Sequence, residues 1–322
     1  MFFPMFIIQG DKMNKIIKAK TTSSRKNIFY IEISKLLLII IFLTFSLIPA
    51  FNSAICAQSN FNKNISINKT SVKQGEVIIV KSKNNYSIDS IKFNSSSYKI
   101  QKYTGGNISL IGISYWLTPG QYPLEIKGSS NYTLSITVLG GDFDSSYLQV
   151  NKEQENIIRP EDEEIIKRKE KDNLAVKKAR SSSSDKKLWQ DKFSWPVDGI
   201  ISTEFGAQRY VNGKLQSRHS GIDIAAEKGT PIKAPADGII KLTQDLLVTG
   251  NTVIIDHGWN LFSSYSHLNK ISVKNNVKVK KGDIIGYIGS TGFSTGPHLH
   301  WAVKLNDVFV NPRQFIDFNI IN

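Results

Sequence analysis

Apolar and polar positions alternate with a short period between residues 59 and 141. From about Phe61 to Leu139, runs of β-branched and aromatic residues are separated by turns, and Val77–Val80 is one such run. Residues 132–138 alternate apolar and polar side chains with a period of two, which is typical of a β-strand with one buried face. This pattern predicts a small all-β accessory domain at residues 59–141.

The next stretch, residues 142–192, is dense in charge. Acidic and basic residues crowd together between Glu161 and Arg180, and a run of serines follows at Ser181–Ser184. Such a composition buries too little apolar surface to fold alone. Isoleucines at positions 157, 158, 165 and 166 give residues 148–180 some apolar helical face. We therefore expect a charged linker that is part helical and part disordered.

Beyond Phe193 the pattern returns to glycine and β-branched residues in short runs, which favours β-structure again. Residues 193–322 are therefore predicted to form a C-terminal β domain. The expected fold class is mainly β, with this domain preceded by the small all-β domain and the charged, partly helical linker. All five histidines of the chain lie in the C-terminal domain.

An apolar run, Leu36–Ile48, follows a basic stretch near the N-terminus and precedes small residues up to Ala57. A positive segment, an apolar run and small residues are typical of a secretory signal. The run is shorter than the roughly 20 apolar residues of a stable membrane span. Residues 1–58 are thus predicted to be a signal peptide or a signal anchor, the latter holding the chain in the membrane through residues 36–51. In either case we expect the rest of the chain to be exported to the periplasm or the cell envelope.

The net charge of +14 bears on partners rather than on fold. Nucleic acid, an anionic membrane face and an anionic cell-wall polymer are all compatible with it, but no nucleic-acid-binding motif accompanies the charge. Nucleic acid is therefore not an expected partner.

The chain contains one cysteine, Cys56, so the sequence offers neither a disulfide framework nor a cysteine-based metal site. Any metal must be held by histidines and carboxylates.

Two pairs of residues in the C-terminal domain have spacings that suggest a shared site. His298 and His300 lie on a segment that reads as a strand, so both imidazoles project from one face while Leu299 points toward a core. His219 and Asp223 are joined by a segment whose glycine and β-branched residues favour a turn running into a strand. Taken alone, His298 and His300 could be two surface histidines, and His219 and Asp223 could be a hydrogen-bonded pair that binds no metal.

Together, His219, Asp223 and His300 make a set of two histidines and one carboxylate. Three protein ligands, with one position left for water, are typical of catalytic Zn²⁺. The same set would also suit Fe(II), so the ligand count alone leaves the metal open.

From Phe193 to about Phe315 the chain resembles the lysostaphin-like, or LytM-type, zinc endopeptidases of bacteria. The resemblance rests on the H-x-x-x-D motif at 219–223, the H-x-H motif at 298–300 and further segments in the same order. These segments are Ser202–Gly206, Gly229–Ile232, Gly250–Val253, Asp256–Gly258, Tyr265–Leu268, Lys281–Gly286 and Ser294–Pro297.

The resemblance implies one Zn²⁺ per catalytic domain, held by His219, Asp223 and His300, with His267 and His298 as unliganded histidines beside it. It also implies an antiparallel, β-sandwich-like fold for residues 193–322 and hydrolysis of peptide bonds in peptidoglycan, and we favour crosslinks between stem peptides. The H-E-x-x-H motif, whose glutamate serves other zinc peptidases as a base, is absent from the sequence. We therefore hypothesise that one of His267 and His298 is the general acid or base and the other stabilises the oxyanion.

Two other functions stay open from the sequence. A non-enzymatic regulator of cell-wall hydrolases could use the same fold, although such proteins usually lack part of the ligand set. The stretch Pro231–Gly289 also resembles the hairpin sandwich of biotinyl and lipoyl carrier domains, but no lysine lies in the context that modification requires. The fifth histidine, His257, is expected to have a structural role.

Overall fold

The computed structural model describes residues 63–317. The predicted signal peptide or signal anchor at residues 1–58 lies outside these residues. Within the described part, none of the helices is long and apolar enough to cross a membrane. Strands dominate this part of the chain, and the predicted mainly β fold class is confirmed.

Two sheets form the N-terminal part of the described chain. The first contains β1 (Ile65–Ile67), β3 (Val77–Lys83), β6 (Gln101–Tyr103) and β7 (Gly106–Gly112). The second contains β2 (Ser71–Lys73), β4 (Ile88–Phe93), β5 (Ser96–Tyr98), β8 (Gly120–Gly128) and β9 (Tyr132–Leu139). Their strand orders are β1-β3-β7-β6 and β2-β9-β8-β4-β5, and only β2 and β9 pair in parallel. The strands predicted at Val77–Val80 and at residues 132–138 are parts of β3 and β9.

Helices occupy part of the charged segment. Helix α1 spans Lys152–Ile158 and helix α2 spans Glu163–Arg180. The helical stretch considered at residues 148–180 is therefore divided at Pro160, because proline lacks an amide donor and disfavours helical backbone at the residue before it. Asp162 then caps α2 by accepting hydrogen bonds from two amides of the first turn.

Three sheets form the C-terminal part. A small one, in the order β10-β12-β13, contains β10 (Ser145–Leu148), β12 (Gln208–Val211) and β13 (Lys214–Arg218). The large one contains β11 (Ile200–Thr203), β14 (Ile222–Ala225), β16 (Gly238–Leu246), β17 (Gly250–Asp256), β18 (Leu261–Leu268), β20 (Lys278–Val279), β22 (His298–Leu305) and β23 (Val308–Val310). Its order is β11-β14-β22-β18-β17-β16-β20, with β23 paired to β22. The third, β15-β21-β19, contains β15 (Pro231–Lys233), β19 (Lys270–Ile271) and β21 (Ile284–Tyr287), and helix α3 (Arg313–Asp317) follows.

Strand β22 separates the apolar core from the polar face of the large sheet. Leu299, Trp301 and Val303 are fully buried and belong to the main core cluster. His298 and His300, at the alternate positions, project to the other face and keep partly exposed side chains. The predicted projection of the two imidazoles from one face of a strand is therefore observed.

The described segments pack together through both apolar and polar contacts. Val77 and Ile108 of the N-terminal sheets belong to the same core cluster as the large sheet. Asn306 Nδ2 donates a hydrogen bond of 2.8 Å to the carbonyl oxygen of Leu110. Helix α2 packs against β16, with Ala179 beside Leu242. The boundaries proposed at residues 58, 141 and 192 stay predictions.

Candidate active site

The pairing of β14 with β22 brings three of the predicted site residues together. Strand β13 ends one residue before His219, and the chain then turns into β14. In the ladder Asp223 lies directly opposite His300, so the two side chains emerge side by side from one face of the sheet. Gly221 passes so close to β22 that a Cβ at this position would clash with the carbonyl oxygen of Trp301. Glycine is therefore required for the turn that delivers His219 to the site.

Three atoms of these residues form a tight triangle. His219 Nε2 lies 2.9 Å from Asp223 Oδ1 and 2.9 Å from His300 Nδ1. The third side, from His300 Nδ1 to Asp223 Oδ1, measures 2.8 Å. A metal ion requires several ligand atoms close to one another. Among the described residues, His219, Asp223 and His300 are the group whose ligand atoms lie close enough to hold one ion.

The hydrogen bonds around His219 show that a cation fits this triangle. His219 Nδ1 lies 2.9 Å from the carbonyl oxygen of Glu204, which accepts only, so this nitrogen carries the proton. In the neutral ring, Nε2 then presents a lone pair to Asp223 Oδ1. A lone pair facing a carboxylate oxygen at 2.9 Å is unfavourable unless a positive charge lies between them. Two nitrogens and one carboxylate oxygen are suitable donors for a divalent metal.

Burial and mutual contacts set the charge states of the cluster. Burial alone would raise the pKa of Asp223, but its short contacts with the imidazoles of His219 and His300 hold that pKa well below its usual range. Burial lowers the pKa of His300 to about 4, against the opposing effect of Asp223. The carboxylate is therefore ionised and His300 neutral near pH 7, and these are the forms that bind metals.

His267 and His298 lie beside the triangle and are held by a different kind of contact. His267 Nδ1 donates to the carbonyl oxygen of Thr291 at 2.7 Å, and His298 Nδ1 donates to that of Gly296 at 2.8 Å. Their ring centroids are 4.7 Å apart. His298 Nε2 lies 3.8 Å from Asp223 Oδ1. Because each Nδ1 is engaged by backbone, each ring has its Nε2 left for a reacting molecule.

The backbone at His267 is strained. Its φ is +64°, in the left-handed region that residues other than glycine rarely adopt. Such strain costs of order 1–3 kcal/mol and persists only where surrounding contacts enforce it. Burial, together with the nearby imidazoles of His300 and His298, lowers the pKa of His267 to about 3. The ring is therefore neutral near pH 7.

All five predicted site residues line one open cavity of about 540 Å³. Its walls include Thr249, Phe293 and the loop up to Pro297, together with Ser146 and Leu148 of β10. A volume of this size is in the range of ligand pockets in proteins. The structure thus brings His219, Asp223, His267, His298 and His300 together around a space that a substrate segment can enter.

Two residues of the cavity were not identified from the sequence. Arg209 places its guanidinium 3.6 Å from Asp223 Oδ2, and its Nε is buried without a partner. Ser220 Oγ lies 3.3 Å from His300 Nε2. Arg209 lies on β12. The sequence alone does not show on which side of this strand its side chain projects, because that depends on the pairing of β12 with β13. Ser220 directly follows His219, and this position within the H-x-x-x-D motif is the sequence signal that could have identified it.

His257 occupies a different environment. It is fully buried, its Nδ1 donates to the carbonyl oxygen of Asp237 at 2.8 Å, and its Nε2 lies 2.7 Å from Ser263 Oγ. It is not among the residues that line the cavity. Both ring nitrogens are satisfied by the protein itself, as the expected structural role requires.

Part of this chain matches a known protein family. Residues 217–312 match the family model described as Peptidase family M23. An uncharacterized metalloprotease of Buchnera aphidicola is 43% identical over 123 residues, which is 38% of this chain and 33% of that protein. The peptidoglycan DD-endopeptidase ShyA of Vibrio cholerae is 41% identical over 120 residues, which is 36% of this chain and 28% of that protein. The chain therefore spans a third or less of the length of these curated relatives.

A solved structure extends the similarity beyond the histidine motifs. The crystal structure of a Pseudomonas aeruginosa protein assigned to peptidase M23 superimposes with a TM-score of 0.57 at 30% sequence identity. The match covers 77% of this chain and 96% of that chain. It therefore includes much more than residues 217–312.

Proposed function

Because the chain belongs to peptidase family M23, we propose that it is a zinc-dependent endopeptidase that hydrolyses peptide bonds in peptidoglycan. The observation that carries this proposal is the convergence of His219 Nε2, Asp223 Oδ1 and His300 Nδ1 beside two further imidazoles in one open cavity. A regulator without activity would have no need for all five groups in these positions.

His219, Asp223 and His300 would hold the metal. Two imidazoles and one carboxylate suit Zn²⁺ in a catalytic site, and hydrolysis of a peptide bond requires no redox change. When bound in such a set, Zn²⁺ acts as a Lewis acid and lowers the pKa of water toward about 7. The Nδ1 proton of His219 is fixed by the carbonyl oxygen of Glu204, which orients the ring before any metal binds.

His267 and His298 would handle the proton. Hydrolysis requires a group that accepts a proton from the attacking water and returns it to the leaving amine. A neutral imidazole whose Nδ1 donates to the backbone can do both through Nε2. Both rings have this arrangement. Once protonated, either ring also becomes a donor that can stabilise negative charge on the carbonyl oxygen of the substrate.

The substrate class and the location are proposed from the relatives. The Vibrio cholerae relative is named as a peptidoglycan DD-endopeptidase, and crosslinks between stem peptides are the bonds that we expect this chain to cleave. Such an activity requires export, which the predicted signal peptide or signal anchor at residues 1–58 would supply. We place the protein in the periplasm or the cell envelope.

Digestion of purified peptidoglycan by the full chain, followed by mass spectrometry of the released fragments, tests the proposal. We expect loss of crosslinked muropeptides and the appearance of monomers with new amino and carboxyl termini. Metal analysis of the same preparation should find zinc. Bound zinc without any cleavage would support a regulator of cell-wall hydrolases instead. An intact mass that includes a biotinyl or lipoyl group would support a carrier.

A further inference from the structure

Helix α2 contains a buried carboxylate that the proposed reaction does not use. The helix lies outside residues 217–312, which match the family model, and its sequence is dense in charge. Most of its side chains are exposed, yet Asp172 retains only 6% of its surface. An ionisable group is rarely buried unless it is paired or hydrogen-bonded.

The partners of Asp172 connect the helix to the turn between β16 and β17. Asp172 Oδ2 accepts a hydrogen bond of 2.7 Å from the backbone amide of Leu247. Arg168, one helical turn earlier, donates from Nε to both carboxylate oxygens at 3.2 and 3.3 Å. Its Nη2 donates to the carbonyl oxygen of Asp245, near the end of β16, at 2.8 Å. Two side chains of α2 therefore hold the backbone here, one at the first residue of the turn and one just before it.

The same turn holds His267. The amide of His267 donates to the carbonyl oxygen of Thr249 at 2.9 Å, and the amide of Phe293 donates to that of Val248 at 2.8 Å. Just beyond the turn, the amide of Asn251 donates to Thr291 Oγ1 at 3.0 Å. The carbonyl oxygen of Thr291 in turn accepts the Nδ1 proton of His267. The backbone and the imidazole of His267 thus both depend on where residues 247–251 lie.

We propose that Asp172 is a positioning residue for the peptidase site. It fixes the turn at residues 247–249 and, through that turn, holds His267 in its left-handed backbone conformation and aims its imidazole at the cavity. The proposal rests on the role assigned to His267 under the proposed function. A hydrogen bond to an ionised acceptor is among the stronger kinds, so it can hold a strained backbone segment in place. Helix α2 then belongs to the catalytic unit rather than to a linker.

Three substitutions in the full chain test the proposal. Asp172→Ala removes the acceptor for the Leu247 amide, whereas Asp172→Asn keeps one oxygen there. Glu170→Ala is the matched control, because it removes the same charge from an exposed position of the same helix. Each variant is assayed for kcat and KM on peptidoglycan fragments and for zinc content. Hydrogen exchange of the backbone amides of His267 and Phe293 is measured in parallel.

For Asp172→Ala we expect a fall in kcat of up to about a hundredfold, the loss that a displacement of about 1 Å can cause. KM and zinc content should stay unchanged, and exchange at His267 and Phe293 should become faster while β22 stays protected. Asp172→Asn should recover most of the activity, and Glu170→Ala should behave as the wild type. Arg168→Gln, at a more exposed position, should give a smaller change of the same kind if Asp172→Ala does not fold.

Unchanged exchange at His267 and Phe293 in Asp172→Ala would overturn the inference, whether or not the wild type hydrolyses peptidoglycan. Faster exchange that extends through β22 would overturn it as well, because Asp172 would then support global stability. A wild type without hydrolysis would instead refute the proposed function. The exchange measurements would still show whether Asp172 holds the turn.

Discussion

The site consists of two groups of histidines that the chain holds in different ways. Asp223 and His300 face each other across the paired strands β14 and β22, so the sheet register sets their separation, and His219 joins them from the turn before β14. His267 and His298 are held by loop carbonyls, those of Thr291 and Gly296. The first group is fixed mainly by a regular ladder within the core sheet. The histidines of the second group lie on β18 and β22, but their rings are oriented by loops, and for His267 that loop depends on distant parts of the chain.

This difference matches the two roles that we propose within one cavity. A metal site needs three atoms at fixed mutual distances; the β14–β22 ladder fixes two of them, and the turn before β14 supplies the third. Proton transfer needs an imidazole aimed at a molecule that is bound only transiently, and loops can adjust that aim. We therefore expect substitutions in the first group to remove metal and activity together. Substitutions in the second group should remove activity alone.

The largest effect is expected from His300→Ala. It removes one corner of the triangle and leaves Asp223 as a buried carboxylate with one imidazole partner, so zinc should no longer be retained through purification. Hydrolysis should then fall to background. Metal analysis and a peptidoglycan digestion assay measure the two properties. Asp198→Ala, which removes an exposed carboxylate outside the cavity, is the control. A His300→Ala protein that kept stoichiometric zinc would contradict the assignment of the ligand set.

His267→Ala should have the next largest effect and should separate the two groups. Zinc content should match the wild type, because the ring does not belong to the triangle. We expect kcat to fall by about 10²–10⁴-fold, the usual contribution of a general acid or base. Steady-state kinetics and metal analysis on the same preparation measure both properties. Full activity in this variant would remove His267 from the mechanism, and loss of zinc would show that the two groups are not independent.

The sequence was informative about the first group and less so about the second. The period-two pattern around His298 and His300, and the turn before Asp223, were sufficient to predict strands and a shared face. The resemblance then implied the complete set of five residues. The support for His267 could not be predicted, because Asp172 and Leu247 are 75 residues apart. Composition alone indicated a solvated linker there, and it could not show that one carboxylate of α2 is buried.

The position of Arg209 in the cavity could not be predicted from the sequence either. Its position in β12 gives its side chain two choices of face, and a single-residue change in the pairing of β12 with β13 would reverse that choice. The division of the helical segment at Pro160 could be predicted from local backbone chemistry alone. The end of a helix at Pro160 thus follows from local sequence, whereas the approach of Arg209 to the site depends on tertiary contacts.

His257 provides a smaller test of the comparison, because both of its ring nitrogens already have protein partners. Burial lowers its pKa to about 4, although the carboxylates of Asp256 and Asp237 act in the opposite direction. The unfolded chain would bind this proton near pH 6.5. The free energy of unfolding should therefore be unaffected by this group above that pH, fall as the pH drops toward 4, and level off below it. The loss from this group is at most about 3 kcal/mol, at 1.36 kcal/mol for each unit of pKa.

Denaturant unfolding of the wild type and of His257→Gln between pH 7 and pH 4 isolates this contribution. Glutamine can donate to the Asp237 carbonyl and meet Ser263, but it does not titrate, so the variant should lose less stability as the pH falls. Other buried groups, including His267 and His300, titrate in both proteins and cancel in the difference. Equal pH dependence in the two proteins would show that His257 is protonated as readily as in solution. This result would contradict the buried, structural role that we assign to His257 and that distinguishes it from the histidines of the cavity.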